Sequence, residues 1–297
     1  MLCAALASAV VVGGTAAGTA YVNAQAHADA GAVSSQPSVT PSASSSVSRE
    51  ASVEPAAEPS ADRDALLEKA MSTVTVEDGV DVAVAVLDLD SGRSAGYGDG
   101  TFDTASIVKV DILAALLLQA QDADRHLTAQ ERTYATAMIE NSDNASASAL
   151  WVAIGQADGL DSANKRFGLT DTTGGDGALW GLTQTTAADQ LTLLQQVFGD
   201  GSRLSEASRT YLQGLMGTIA EDQDWGVSAA ADGSDWALKN GWLPRSTTGL
   251  WDVNSIGRIT ADGRDYLVAA LSNGNSTKAE GIALVEAAAR AAVSVFV

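Results

Sequence analysis

Thr104-Ala105-Ser106-Ile107-Val108-Lys109 leads into Val110-Asp111-Ile112-Leu113-Ala114-Ala115-Leu116-Leu117-Leu118, an apolar run broken only by Asp111. The run predicts a buried helix, with Ser106 and Lys109 in its first turn. Residues three apart share a helix face, with side chains about 5–6 Å apart. A hydroxyl placed there feels the positive end of the helix dipole. An amine held in an apolar surround loses hydration, its pKa falls, and a neutral basic form becomes accessible. A serine beside a desolvated amine is one way to activate a weak nucleophile.

Around this stretch, the punctuation of the chain predicts the other elements. Asp64–Met71 suggests a helix. Val80–Leu89 and Arg93–Tyr97, joined by Asp90-Ser91-Gly92, read as a β-hairpin. Thr128–Glu140 and Ala145–Ile154 read as helices linked by Asn141-Ser142-Asp143-Asn144, and Thr128 with Glu131 forms a capping-box pattern. Asp161–Phe167 reads as a short helix, Asp171–Gly181 as a Gly-rich loop, and Ala187–Val197 and Ser205–Met216 as helices. Strands follow from Trp236–Lys239, Val253–Thr260 and Tyr266–Leu271, then a closing helix over Lys278–Val297. Strands near both ends with helices between them imply one sheet built from distant pieces of chain, an α+β architecture.

Composition removes several functions. The formal net charge is −20, against a phosphate-backbone partner, which needs a basic face. One cysteine, Cys3, gives no disulfide framework and no cysteine metal site. Two histidines, His27 and His126, leave no His-rich zinc site, and His126 reads as a loop residue. No metal or organic cofactor is implied. Residues 1–26 are apolar and small enough to suggest a secretory signal or an N-terminal membrane anchor, although no Lys or Arg precedes Arg49. Residues 27–60, rich in Ser, Ala and Pro, read as a disordered linker. The folded domain is expected over 61–297, in an extracytoplasmic or secreted protein, as a monomer.

S-x-x-K alone is a weak motif, and Ser162–Lys165 is a second, accidental match. Only Ser106 opens a long apolar helix after a hairpin, and only Ser106 is followed in order by Ser142-Asp143-Asn144 and Lys239-Asn240-Gly241. The ordered set S-x-x-K, S-D-N and K-x-G resembles that of the serine β-lactamases and penicillin-binding proteins. The chain over 61–297 is similar to a compact class A β-lactamase-related serine hydrolase. The resemblance implies an antiparallel five-stranded sheet flanked by helices plus an all-helical subdomain.

It also implies roles. Ser106 is the acylated nucleophile and Lys109 helps deprotonate it. Ser142 relays a proton to the leaving nitrogen, and Asn144 binds substrate and braces Lys109. Lys239 and Asn240 face the substrate carboxylate, Gly241 lets substrate lie along its strand, and the backbone N–H groups of Ser106 and Trp242 form the oxyanion hole. Trp242, bulky where a small residue is usual, is expected to touch substrate. The expected partner is a small-molecule amide, a β-lactam or a peptidoglycan stem peptide.

One departure bears on turnover. Class A enzymes activate the hydrolytic water with a loop glutamate, and this chain has no glutamate between Glu140 and Glu206. Asp171 and Asp176 are the nearby substitutes, though loop-turn roles suit them better. Slow deacylation is therefore expected. The same residues also fit a D-alanyl-D-alanine carboxypeptidase, and a non-catalytic cell-wall module is the third reading. Read separately, each motif has a bland alternative: a first-turn serine, a solvated lysine, a capping turn and a strand end.

Overall fold

The computed structural model describes residues 62–297. The leader read at 1–26 and nearly all that precedes α1 lie outside the described residues, the 27–60 linker included. The hairpin predicted around Asp90 forms between β1 (Asp81–Asp88) and β2 (Ser94–Tyr97), with Val84 opposite Tyr97 and Leu87 opposite Ser94. Its turn is held by the Asp88 carboxylate, which accepts from the Asp90 N–H at 2.9 Å and the Ser91 hydroxyl at 2.8 Å. Two very short strands, β3 (Phe102–Asp103) and β4 (Gln184–Thr185), pair apart from the main sheet. The remaining strands come from the C-terminal part: β5 (Trp236–Pro244), β6 (Trp251–Ala261) and β7 (Arg264–Asn275). The main sheet is five-stranded and antiparallel throughout, in the order β2-β1-β7-β6-β5.

Alternation along the central strands separates two apolar layers. Ala83, Ala85 and Leu87 of β1, with Leu267, Ala269 and Leu271 of β7, face the larger one. Val84, Val86, Val268 and Ala270 face the smaller, which α1 (Arg63–Met71) and α8 (Lys278–Ser294) cover with Leu67, Met71, Val285 and Ala288. Gly281 of α8 sits so close to β6 that a Cβ there would lie 2.4 Å from a methyl of Val253.

The larger layer is centred on α2 (Val108–Asp122), whose residues from Val108 to Leu118 are all buried. A helix apolar on every face must be surrounded, and this one is. Around it lie α3 (Ala129–Glu140), α4 (Asn144–Ile154), α5 (Gln156–Phe167), α6 (Ala187–Phe198) and α7 (Glu206–Met216). Thr128 and Glu131 make the reciprocal capping box at the start of α3.

Two predicted boundaries move. The helix expected over Asp161–Phe167 starts at Gln156, because Gly155 at φ 97° ends α4 and lets α5 begin at once. Gly159, which reads as a breaker, lies inside α5 because a Cβ there would meet the Ile154 carbonyl oxygen at 1.8 Å. The C-terminal strands are longer than their apolar cores predict, as ladder pairing continues through Pro244 and Asn275.

Candidate active site

Ser106 lies in a 3₁₀ turn (Ala105–Ile107) that runs into α2. The residue before it, Ala105, takes φ 47°, and Ser142 takes φ 54°. Non-glycine residues pay on the order of 1–3 kcal/mol for such conformations, so surrounding contacts must impose them. The contacts are visible here. The Thr104 N–H donates to the Thr183 carbonyl at 2.9 Å. The Asn254 amide donates to the carbonyls of Asp103 and Thr104 at 2.9 and 3.1 Å. β5 presses against the turn from the other side: a Cβ on Gly241 would stand 2.7 Å from the Ser106 nitrogen and 2.8 Å from the Thr104 carbonyl oxygen. Glycine is thus required at 241 by the close approach of the Ser106 turn, a packing reason beside the substrate role expected for it.

Lys109 is fully buried. Its Nζ donates to the Ser142 carbonyl at 2.7 Å, the Ser142 Oγ at 3.0 Å and the Asn144 Oδ1 at 2.8 Å. The S-x-x-K and S-D-N segments are thus joined through one amine. Burial pushes the Lys109 pKa down to about 7, while the Asp143 carboxylate opposes the fall. Asp143 caps α4 by accepting from the Ser146 N–H at 2.7 Å. That bond holds its own pKa below the ordinary value.

Lys239 is also fully buried and donates to the Asn240 carbonyl at 2.9 Å and the Gln223 Oε1 at 3.4 Å. Burial, then the charge of Lys109, hold its pKa well below the ordinary lysine value. The charge of Lys109 thus discourages protonation of Lys239.

The middle of the third motif points elsewhere. Strand alternation turns Asn240 to the opposite face, where its amide donates to the carbonyls of Gln223 and Trp225 at 2.7 and 2.8 Å. The expected contact of Asn240 with a substrate carboxylate is not formed; the side chain ties down the Gln223–Trp225 segment. Trp242 follows the same alternation. Its indole meets Trp225 at 5.9 Å between ring centres, and Lys278 Nζ lies 3.7 Å over its ring. The Trp242 indole therefore belongs to the α8 side of the sheet, although the residue also borders the cleft.

Its backbone is placed differently. The Thr260 N–H donates to the Asp235 carbonyl, and in an antiparallel ladder that bond fixes the parity. Odd-numbered residues of β5 face β6, so even-numbered ones, Trp242 included, direct N–H and C=O outward along the free edge of the sheet.

Ser106 opens on a cavity of about 620 Å³ whose lining includes Asn144, Ser148, Leu179, Trp180, Trp242 and Arg245. Neither Asp171 nor Asp176 lines it, nor does any other carboxylate among the described residues. Asp171 is exposed, with its N–H donating to Asp189 at 2.8 Å. Asp176 closes a turn through its carbonyl, which accepts from the Leu179 N–H. Both are loop-turn residues. The charged group at the cavity wall, Arg245, pairs with Asp103 and lies 3.5 Å from Asp252. Burial raises both acids, Asp252 to about 6.

Several residues at the site carry no motif. Gln223 and Asn254 are buried amides far from S-x-x-K in sequence. Trp180 is the tryptophan that faces the Lys109 amine: Nζ lies 5.0 Å from its ring centre, and its Nε1 donates to the Ser148 Oγ at 3.1 Å. The sequence signal for Trp180 is faint, an aromatic residue in a loop otherwise rich in Gly and Thr.

Comparison with known proteins agrees with this fold. Solved structures similar to this chain include a β-lactamase from Xanthomonas campestris, with 22% identity and a TM-score of 0.62 over 79% of this chain and 97% of that one. PBP-A gives 21% identity and a TM-score of 0.65 over 78% and 96%. The TLA-3 extended-spectrum β-lactamase gives 15% and 0.68 over 79% and 98%. At these identities the likeness is one of fold. A comparison with curated proteins finds no match. The family described as the beta-lactamase enzyme family matches residues 127–296, a span that holds Ser142, Asn144 and Lys239 through Trp242, while Ser106 and Lys109 precede it. With more than half its length matched, and the fold shared, the chain belongs to the beta-lactamase enzyme family.

Proposed function

We propose that this protein is a serine hydrolase that forms a long-lived acyl-enzyme on Ser106 with β-lactams or related amides. The observation that carries this reading is the Lys109 amine, buried behind the Ser106 turn and joined to both Ser142 and Asn144. With a pKa near 7, it has a lone pair to offer at neutral pH. Ser106 Oγ attacks the substrate carbonyl and its proton passes to Lys109. The outward N–H of Trp242 and the N–H of Ser106 receive the oxyanion; such donors are each worth about 2.7–4 kcal/mol. Ser142 passes the proton to the leaving nitrogen as the C–N bond breaks.

Deacylation is slow in this reading because the cavity offers water no carboxylate base. A PBP-A variant has been solved as an acyl-enzyme complex with penicillin G, and the same chemistry suits this chain. A D-alanyl-D-alanine carboxypeptidase role uses the same residues and is favoured over efficient resistance by that missing base. The domain is taken as 61–297, carried outside the cytoplasm by residues 1–26 and spaced by 27–60, and acting as a monomer.

Intact-protein mass spectrometry during incubation with penicillin G tests the reading. The expected result is a mass gain of one penicillin that persists, absent from Ser106→Ala. No adduct on folded protein leaves a non-catalytic module. Rapid return to the free mass with continuous nitrocefin turnover makes the protein an efficient β-lactamase instead.

A further inference from the structure

The loop between α5 and β4 is held from several sides. The Trp151 indole donates to the Gly177 carbonyl at 2.7 Å, the Gly174 N–H to Asp161 at 2.7 Å, and the Gly175 N–H to the Thr183 hydroxyl at 3.1 Å. Its last turn, Trp180–Leu182, packs on the nucleophile's turn, so that a Cβ on Gly181 would lie 3.9 Å from the Ala105 Cα. Trp180 is fixed by this scaffold and by its bond to Ser148 on α4. Its ring closes the side of Lys109 that Ser142 and Asn144 leave free. The result is an amine with no solvent contact at all, set behind Trp180 and Asn144, which line the cavity that Ser106 opens on.

We propose that Trp180 is a gatekeeping residue that keeps water off Lys109 and thereby sets the lifetime of the acyl group on Ser106. This rests on the acyl-enzyme reading above and goes beyond it by assigning the slow step to a residue. Hydrolysis of the ester requires a water oxygen to bond to the acyl carbon while the bond to Ser106 Oγ breaks. One water proton goes to a base and from there to Ser106 Oγ, and the acid is released. With no carboxylate in the cavity, Lys109 is the base in reach, and it serves only if water touches it. The indole occupies that approach. Acylation is not blocked in the same way, because there the proton comes from Ser106 itself.

The full chain and its Trp180→Ala, Trp180→Phe and Ser148→Ala variants, acylated with penicillin G and followed by mass spectrometry over a pH series, decide the matter. The expected result for Trp180→Ala is an adduct that forms but decays about 100-fold faster, within the usual range for a newly supplied general base. The midpoint of its acylation–pH profile should also move upward, because solvent now reaches the amine. Trp180→Phe and Ser148→Ala, which keep the fold's packing and loosen the pin, should shorten the lifetime several-fold. A lifetime unchanged in Trp180→Phe and in whichever of the other variants folds overturns the proposal. Absence of any adduct on the unsubstituted protein overturns the acyl-enzyme reading itself, a distinct result.

Discussion

The catalytic proposal narrows to the protonation of one side chain. Lys109 is depressed to about 7 by burial and lifted somewhat by Asp143. The neutral amine therefore accumulates as pH rises through about 7, and acylation should rise with it to a plateau. Asp143→Asn keeps a residue able to cap α4 but removes the opposing charge. Its midpoint should fall to lower pH, read from the rate of penicillin labelling across the series; an unmoved midpoint would show that Asp143 acts on α4 alone. At this scale the sequence was informative where chemistry is carried by an ordered motif. Lys109, Ser142 and Asn144 are joined by hydrogen bonds, and Ser106 shares a cavity with Asn144. It was misleading for Asn240, since a strand sends alternate side chains to opposite faces and a motif does not announce which face is which. Trp180, Gln223 and Asn254 were invisible because their contacts join segments far apart in the chain.

Among the elements, α2 has the least ordinary composition. Asp111 is fully buried in it, two residues beyond Lys109, and neither of its oxygens has a well-formed hydrogen bond among the described residues. Burial raises its pKa to about 7; Asn164 opposes the rise, and the charges of Asp161 and Asp189 add to it. A carboxyl raised in the folded state destabilises as pH climbs from its unfolded value towards about 7, because the unfolded chain ionises first. Asp111→Asn removes that cost. It should raise stability by on the order of 2 kcal/mol at about pH 8 and much less at about pH 4, measured by denaturant unfolding at both pH values. A loss at both would give Asp111 a structural bond that these contacts do not contain. The apolar run around it made α2 easy to read from sequence. The short β3–β4 pair was not legible, because two-residue strands have no period to detect.

At the scale of the molecule, the described residues, 62–297, supply two apolar layers and a candidate site. A chain beginning at Ala61 should unfold cooperatively at the same temperature as the full chain and label with penicillin G at the same rate; a lower midpoint by calorimetry would give the preceding residues a share in stability. The fold class was readable from the order of strands and helices. Their pairing was not, since β1 finds its second partner only in β7. That ladder, Asp81–Asp88 against Tyr266–Asn273, has a bearing on timing. A ribosome delivers Ser106 well before Gly241 of β5, which packs on its turn, so under the reading proposed above a nascent chain carries its hydroxyl unarmed until β5 and β7 have emerged. A product truncated before β5 should then be chemically silent.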